Sequence, residues 1–219
     1  MAPLERSLLL ERSRPVVIFK TRKRDPMPIE SLCAGDSRLS KRGDLTMARS
    51  IVERFESQDP AQIEERRRIL EFIDQHSDAL ERSCLTGHLT ASALVIDAGG
   101  DRALLTHHRK LDRWLQLGGH CDGDGNLIAS AWREATEESG IEGLSIDALP
   151  VDLDIHTIPA RKTEPEHWHL DVRFLVHAPP GAIESISEES IALGWFSPDE
   201  LDSIETDESV RRLFEIAFS

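Results

Sequence analysis

Apolar positions between residues 47 and 85 recur at helical spacing. Ile51, Val52 and Phe55 share one face, and after Asp59-Pro60 a second helix carries Ile63, Leu70 and Ile73 with charge on its other side. From Gly87 onward the pattern shortens to β-like runs at residues 88–97, then 102–107 after the Ala98-Gly99-Gly100-Asp101 turn, then 114–117. One clear helix follows over Leu127–Ser139, with Asn126 as its N-cap and Gly140 where helices favour termination. Strands are expected again at residues 145–158, 168–177 and 191–196, and short helices at 198–201 and 207–216. The sequence shows no internal repeat. This order predicts an α+β chain, with a helical preface over residues 47–86 and a sheet-and-helix domain over residues 87–219.

Charge changes the picture at the N-terminus. Residues 1–46 carry 10 basic and 6 acidic side chains, whereas the whole chain of 219 residues stands at −14, so the remainder carries −18. Pro3, Pro15, Pro26 and Pro28 and the cluster Lys20-Thr21-Arg22-Lys23-Arg24, without periodicity, predict a basic and poorly ordered extension. Contact of that cluster with nucleic acid or anionic lipid is its alternative reading, and translation starting at Met47 is another way to read the boundary. The overall acidity argues against a nucleic-acid partner. No apolar run approaches the roughly 18 residues of a membrane span, and Glu5, Arg6, Glu11, Arg12 and Arg14 break up a signal-peptide pattern. Cys33, Cys84 and Cys121, with no C-x-x-C pair, indicate neither a disulfide framework nor a cysteine-rich zinc site. A cytoplasmic protein is expected.

On a wheel at 100° per residue, Ile128, Ala131, Trp132 and Ala135 fall on one side of the Leu127–Ser139 helix, and Glu134, Glu137 and Glu138 cluster on another. Glu134 neighbours Glu137 at i+3 and Glu138 at i+4, and each such pair repels by about 0.2–0.5 kcal/mol in an isolated helix. Glu137 and Glu138 also lie in the last turn, where the helix dipole disfavours negative charge by about 0.3–1 kcal/mol. A hard divalent cation offsets both effects, since carboxylates on one helix face are what Mg²⁺ or Mn²⁺ accepts beside phosphate oxygens. A solvated acidic face is the competing reading of the helix taken alone.

The wider spacing bears on that choice. Gly119, thirteen residues, then Arg133-Glu134-Ala135-Thr136-Glu137-Glu138-Ser139-Gly140-Ile141 resembles the Nudix box, G-x5-E-x7-R-E-U-x-E-E-x-G-U with U apolar. The box's first glutamate falls on Gly125. That departure touches loop geometry and metal number more than reaction class, and Asp122 and Asp124 are its candidate substitutes. The strand at 102–107, the run Trp114-Leu115-Gln116-Leu117-Gly118-Gly119, and Trp195-Phe196-Ser197-Pro198-Asp199-Glu200-Leu201 extend the resemblance over residues 87–219. It implies an α/β/α sandwich around a mixed β-sheet, in which the box forms loop, helix and loop. It also implies hydrolysis of a diphosphate linkage in a nucleotide derivative, a nucleoside diphosphate joined to another moiety, with Mg²⁺ or Mn²⁺ and an attacking water. Carried over residue by residue, Glu134, Glu137 and Glu138 bind metal, the Gly118 carbonyl is a further ligand, and Arg133 orients the carboxylates. The general base comes from the box, as Glu137 or Glu134, or from a later loop, as Glu189. A homodimer is the assembly that the resemblance suggests.

Groups outside the box are candidate substrate contacts. As a strand, residues 167–173 place His167, His169, Asp171 and Arg173 on one face, successive side chains about 6–7 Å apart. The row suits a substrate, a polar outer face, or the start of a zinc site whose facing ligands come from elsewhere. Trp168, with Leu170 and Val172, is assigned to the core. Arg109, Lys110 and Arg113 are scarce positive charges in an acidic region, and Arg109 and Arg113 are expected on substrate phosphates. His120, after the glycine pair, is expected to face the same site. Two further classes remain open. A non-catalytic Nudix module sensing a nucleotide or nucleotide sugar is favoured by Gly125 and opposed by the intact Arg133, Glu134, Glu137 and Glu138. A Nudix-fold isomerase of the isopentenyl diphosphate type needs a catalytic cysteine, for which Cys121 is the candidate. Base, sugar and leaving group are chosen by pocket walls that no motif reads.

Overall fold

The computed structural model describes residues 30–161, 164–187 and 190–219. Aspartates set the starts of the first two helices. Asp44 caps α1 (Leu45–Glu53) by accepting the Thr46 N–H at 2.8 Å, and Asp59 caps α2 (Pro60–Gln75) by accepting the Ala61 N–H at 2.9 Å. These helices bury Ala48, Ile51 and Val52, then Ile69, Phe72 and Ile73. Ile63 departs from expectation and is 52% exposed. Its neighbour Gln62 turns inward instead, exchanging hydrogen bonds of 2.9 and 3.0 Å with the Leu153 backbone, so an amide holds α2 to the sheet where an apolar side chain was expected.

Nine strands among the described residues form one mixed sheet: β1 (Ser31–Cys33), β2 (Gly87–Ile96), β3 (Ala103–His108), β4 (Arg113–Leu115), β5 (Leu117–His120), β6 (Ser145–Asp147), β7 (Asp152–Ile158), β8 (His167–His177) and β9 (Ser190–Phe196). β2 and β8 run parallel over ten residue pairs, and the other named pairings are antiparallel. β5 and β3 share one edge of β2, while β6 and β7 share the far edge of β8. Two expected strands are each divided. The run at 145–158 breaks around Pro150, which has no N–H for a ladder, and the run at 114–117 breaks at Gln116, where the chain passes from β3 to β2.

α1, α2 and α3 (Leu127–Ser139) cover one face of the sheet, over Leu89, Ala91, Ala93, Leu170, Val172 and Phe174. On the other face, α4 (Glu208–Phe218) and a 3-10 turn at Pro198–Ser203 place Val210, Leu213, Phe214 and Leu201 against Leu94, Ile96, Ala103 and Leu105. The result is the expected α/β/α sandwich. α4 covers only half of its face, and the uncovered half carries the polar side chains of β2, β7 and β8.

The boundary at residue 46 is not where order begins. β1 pairs with β6, and residues 36–44 lie along the loop that leads into α3. A three-residue strand without alternation leaves no periodic signal, which is why the sequence pattern assigned these residues to the extension. The basic cluster at residues 20–24 lies outside the described residues.

Candidate active site

α3 has the expected bounds. The Asn126 side chain accepts the Ala129 N–H at 3.4 Å, and Gly140 ends the helix in the left-handed region at φ 65°. Ile128, Ala131 and Ala135 are buried, which leaves Glu134 and Glu138 facing β5 and Glu137 more exposed beside them. Glu138, itself buried, accepts the Gly118 N–H at 2.9 Å. Glu134 lies so close to β5 that a Cβ on Gly119 would come within 2.7 Å of its carboxyl carbon, so a side chain there would displace the Glu134 carboxylate. Arg133 spans the group, with Nη1 at 2.7 Å from Glu134 and 3.3 Å from Glu137, and Nη2 donating to the His120 carbonyl at 3.1 Å. One guanidinium thereby ties two carboxylates to the β5 backbone.

Gly125 follows from the same packing. Its N–H donates to the Arg42 carbonyl, and a Cβ there would overlap the Asp44 carbonyl. Asn126 Nδ2 donates to the Arg38 and Ser40 carbonyls at 2.6 and 3.0 Å. Asp124 is buried and accepts the Arg42 and Asn126 N–H groups, whereas Asp122 is paired with Arg82 at 2.7 Å. The space a glutamate side chain needs at position 125 is filled by residues 36–44. Gly125→Ala is therefore expected to destabilise the fold by about 3 kcal/mol, the upper range for overpacking against backbone. Urea denaturation checks this, and an unchanged midpoint would show that residues 36–44 yield freely.

Strand register builds the opposite wall. β2, β8 and β7 align His88 with His169 and His156, Thr90 with Asp171 and Asp154, and Ser92 with Arg173 and Asp152, all on the face of the sheet that α4 only partly covers. Asp171 accepts Thr90 Oγ1 and Ser92 Oγ at 2.9 Å each and Arg173 Nε at 2.8 Å. Burial, then Arg82 and His88 nearby, pushes the His120 imidazole down to about 4. Burial and the surrounding imidazoles likewise lower His169 and, with Arg82, His88. His156 moves the other way: burial opposes its charge, but its 2.8 Å contact with Asp154 and the nearby Asp171 outweigh this. A cavity of about 670 Å³ joins this wall to Gly118, Gly119 and the three glutamates.

The cavity brings together Gly118, His120, Arg133, Glu134, Glu137, Glu138, His167 and His169 from the sequence reading. Others lie elsewhere. Arg173 is 2% exposed and enclosed by Asp152, Asp154 and Asp171, so it does not face a substrate. Arg109 donates to the Ser190 carbonyl at 2.9 Å, which directs it to β9, and Arg113 is also outside the lining. Lys110, Arg82 and Arg161 supply the cations there. Glu189 lies outside the described residues. Trp168 is 41% exposed, its ring under the Arg68 guanidinium at 5.7 Å, because the apolar face of β8 runs beyond its helical cover. Cys121 is buried, its thiol pushed up by burial and then by Asp171, and it lies outside the cavity lining; this removes the nucleophile that an isomerase needs. His88, Gln116 and His156 line the cavity and were missed. His88 sits in an unbroken buried run, and only the β2/β8 register reveals its position.

The NUDIX domain family model matches residues 86–215. Among solved structures the chain is similar to a NUDIX-family hydrolase from Clostridium perfringens, at 24% identity over 60% of this chain and 95% of that one, with a TM-score of 0.44. It is similar also to a C. elegans Ap4A hydrolase (17% identity, 58% and 92% covered, TM-score 0.48) and to the MutT protein of Methanosarcina mazei Go1 (22%, 60% and 93%, 0.44). Comparison with curated proteins gives no match. The domain match spans well over half of the chain, which belongs to the Nudix family. Its class is that of the Nudix pyrophosphohydrolases, enzymes that use divalent metals and act on nucleotide diphosphate derivatives. No described helix is long and apolar enough to cross a membrane.

Proposed function

We propose that the chain hydrolyses a diphosphate linkage in a nucleotide derivative, with Mg²⁺ or Mn²⁺ held by Glu134, Glu137 and Glu138 and the Gly118 carbonyl. The observation that carries this reading is that Glu134 and Glu138 reach the β5 glycines and Glu137 lines the same cavity, with cations on its rim. An oxygen-only donor set suits a hard cation, and the missing side chain at Gly119 admits carboxylate and backbone at close range. When bound, such a cation neutralises phosphate charge and makes water acidic enough to attack. Arg133 fixes Glu134 and Glu137 in place before substrate arrives. Glu137, the most exposed of the three, is our choice to take the proton of the attacking water, with Glu134 as the second candidate. Lys110 and Arg161 meet the phosphate chain, and exposed Leu85 and Leu111 offer an apolar surface to a base. The sensor reading loses its support, because Gly125 is explained by packing against Asp44.

The test is a hydrolysis screen of dinucleotides, nucleotide sugars and nucleoside triphosphates with Mg²⁺ or Mn²⁺ in ¹⁸O-labelled water. Metal-dependent cleavage with label in one phosphate product is the expected result. Nucleotide binding without cleavage of any substrate would overturn it.

A further inference from the structure

The carboxylate site leaves a second group of ligands unused. His88, His167 and His169 lie on one face of β2 and β8, and a ring nitrogen of each lies within 4.8 Å of the others. His88 is the hub, with ring centroids 5.0 Å from His167 and 4.9 Å from His169. It is 3% exposed, yet neither of its ring nitrogens has a hydrogen-bond partner among the described residues. The Cys84 backbone lies beside the ring and favours its protonated form, but completes no hydrogen bond to either nitrogen. A buried donor and acceptor left open together is a rare arrangement that calls for a ligand. His167 is already oriented: its Nδ1–H donates to the Pro165 carbonyl at 2.9 Å, which leaves Nε2 with its lone pair free. Metal-binding histidines are held in this way by a backbone carbonyl behind the ring.

We propose that His88, His167 and His169 form a second metal site, for a borderline divalent transition metal such as Zn²⁺ or Co²⁺. Three imidazoles without a carboxylate or thiolate select that class and disfavour Mg²⁺, so the two sites in one cavity differ in chemistry as well as position. Tetrahedral coordination places nitrogens about 3.3 Å apart, so the rings close by at most about 1.5 Å on binding. Three protein ligands leave one position open toward the cavity that holds Glu134, Glu137 and Glu138, where a water or phosphate oxygen completes the shell. The site does not rest on the hydrolase reading, since it is defined by binding without substrate.

The full chain, stripped by chelator, is titrated with Zn²⁺ by calorimetry and with Co²⁺ by visible absorption. One equivalent is expected, with the intense bands of tetrahedral Co²⁺. His167→Ala and His169→Ala should each weaken binding at least 100-fold. Glu137→Gln should leave it unchanged, as should Cys84→Ala, which removes the separate His76, Asp78 and Cys84 group. His88→Ala risks misfolding, so the half-buried His167 carries the test. Absence of binding, affinity unchanged in both histidine variants, or affinity lost with Glu137→Gln or Cys84→Ala would each overturn the proposal.

Discussion

Glu137→Gln is expected to lower kcat about a thousandfold while leaving the denaturation midpoint unchanged. The two halves of that outcome have separate causes. Glu137 keeps 62% of its side chain exposed and pairs with Arg133 at 3.3 Å, and exposed pairs of this kind contribute about 0–1 kcal/mol. Losing its charge also relieves repulsion from Glu134 of about 0.2–0.5 kcal/mol, so the two effects on folding nearly cancel. Catalysis has no such offset. The amide neither accepts a proton from water nor supplies an anionic ligand, and general-base loss alone lowers rates by roughly 10²–10⁴. A thousandfold loss corresponds to about 4 kcal/mol of the barrier. Glu138→Gln separates site from scaffold, because Glu138 also accepts the Gly118 N–H and its replacement should lower stability along with activity. Paired measurements of kcat against Mg²⁺ concentration and of urea midpoints check this. Full turnover in Glu137→Gln would remove it from metal binding and proton transfer alike.

What the sequence could show follows the range of each signal. α3 was legible to the residue because its cap, its apolar face and its terminating glycine lie within fifteen positions of one another. The box carboxylates were legible for the same reason. β1 was not, since three residues carry no period and its partner β6 lies more than a hundred residues away. The polar face of β8 was half legible. Alternation assigned His167, His169, Asp171 and Arg173 to one side, but what covers that side is a tertiary fact: α4 and β7 close over Arg173 and leave the histidines open. Gly125 looked like a damaged box and is instead the point where Asp44 crosses it.

Arg173 shows what that cover does, and Arg173→Met is expected to destabilise the fold by about 3–5 kcal/mol. The guanidinium reaches Asp171 at 2.8 Å, Asp154 at 3.1 Å and Asp152 at 3.2 Å, and Nη1 also donates to the Ser209 carbonyl on α4 at 3.4 Å. Arg212 shares Asp152 and Asp154, so two cations serve three carboxylates across β7, β8 and α4. Methionine fills a similar volume but leaves Asp171 with only hydroxyl and amide donors, and removing one member of a buried charge group typically carries a penalty of this size. Against a total stability of roughly 5–15 kcal/mol, that loss is large. Arg173→Lys should recover only part of it, because an ammonium cannot serve three carboxylates from one planar fork. The pH dependence identifies the cause. Burial already raises Asp152 despite Arg212 and Arg173, and without Arg173 it rises further. A raised carboxyl destabilises the fold while ionised and ceases to do so as pH falls through its folded value. The stability gap between Arg173→Met and the parent chain should therefore narrow from pH 7 toward pH 5 in urea denaturation. A gap that stays constant would assign the loss to packing, and a raised KM with an unchanged midpoint would return Arg173 to the substrate.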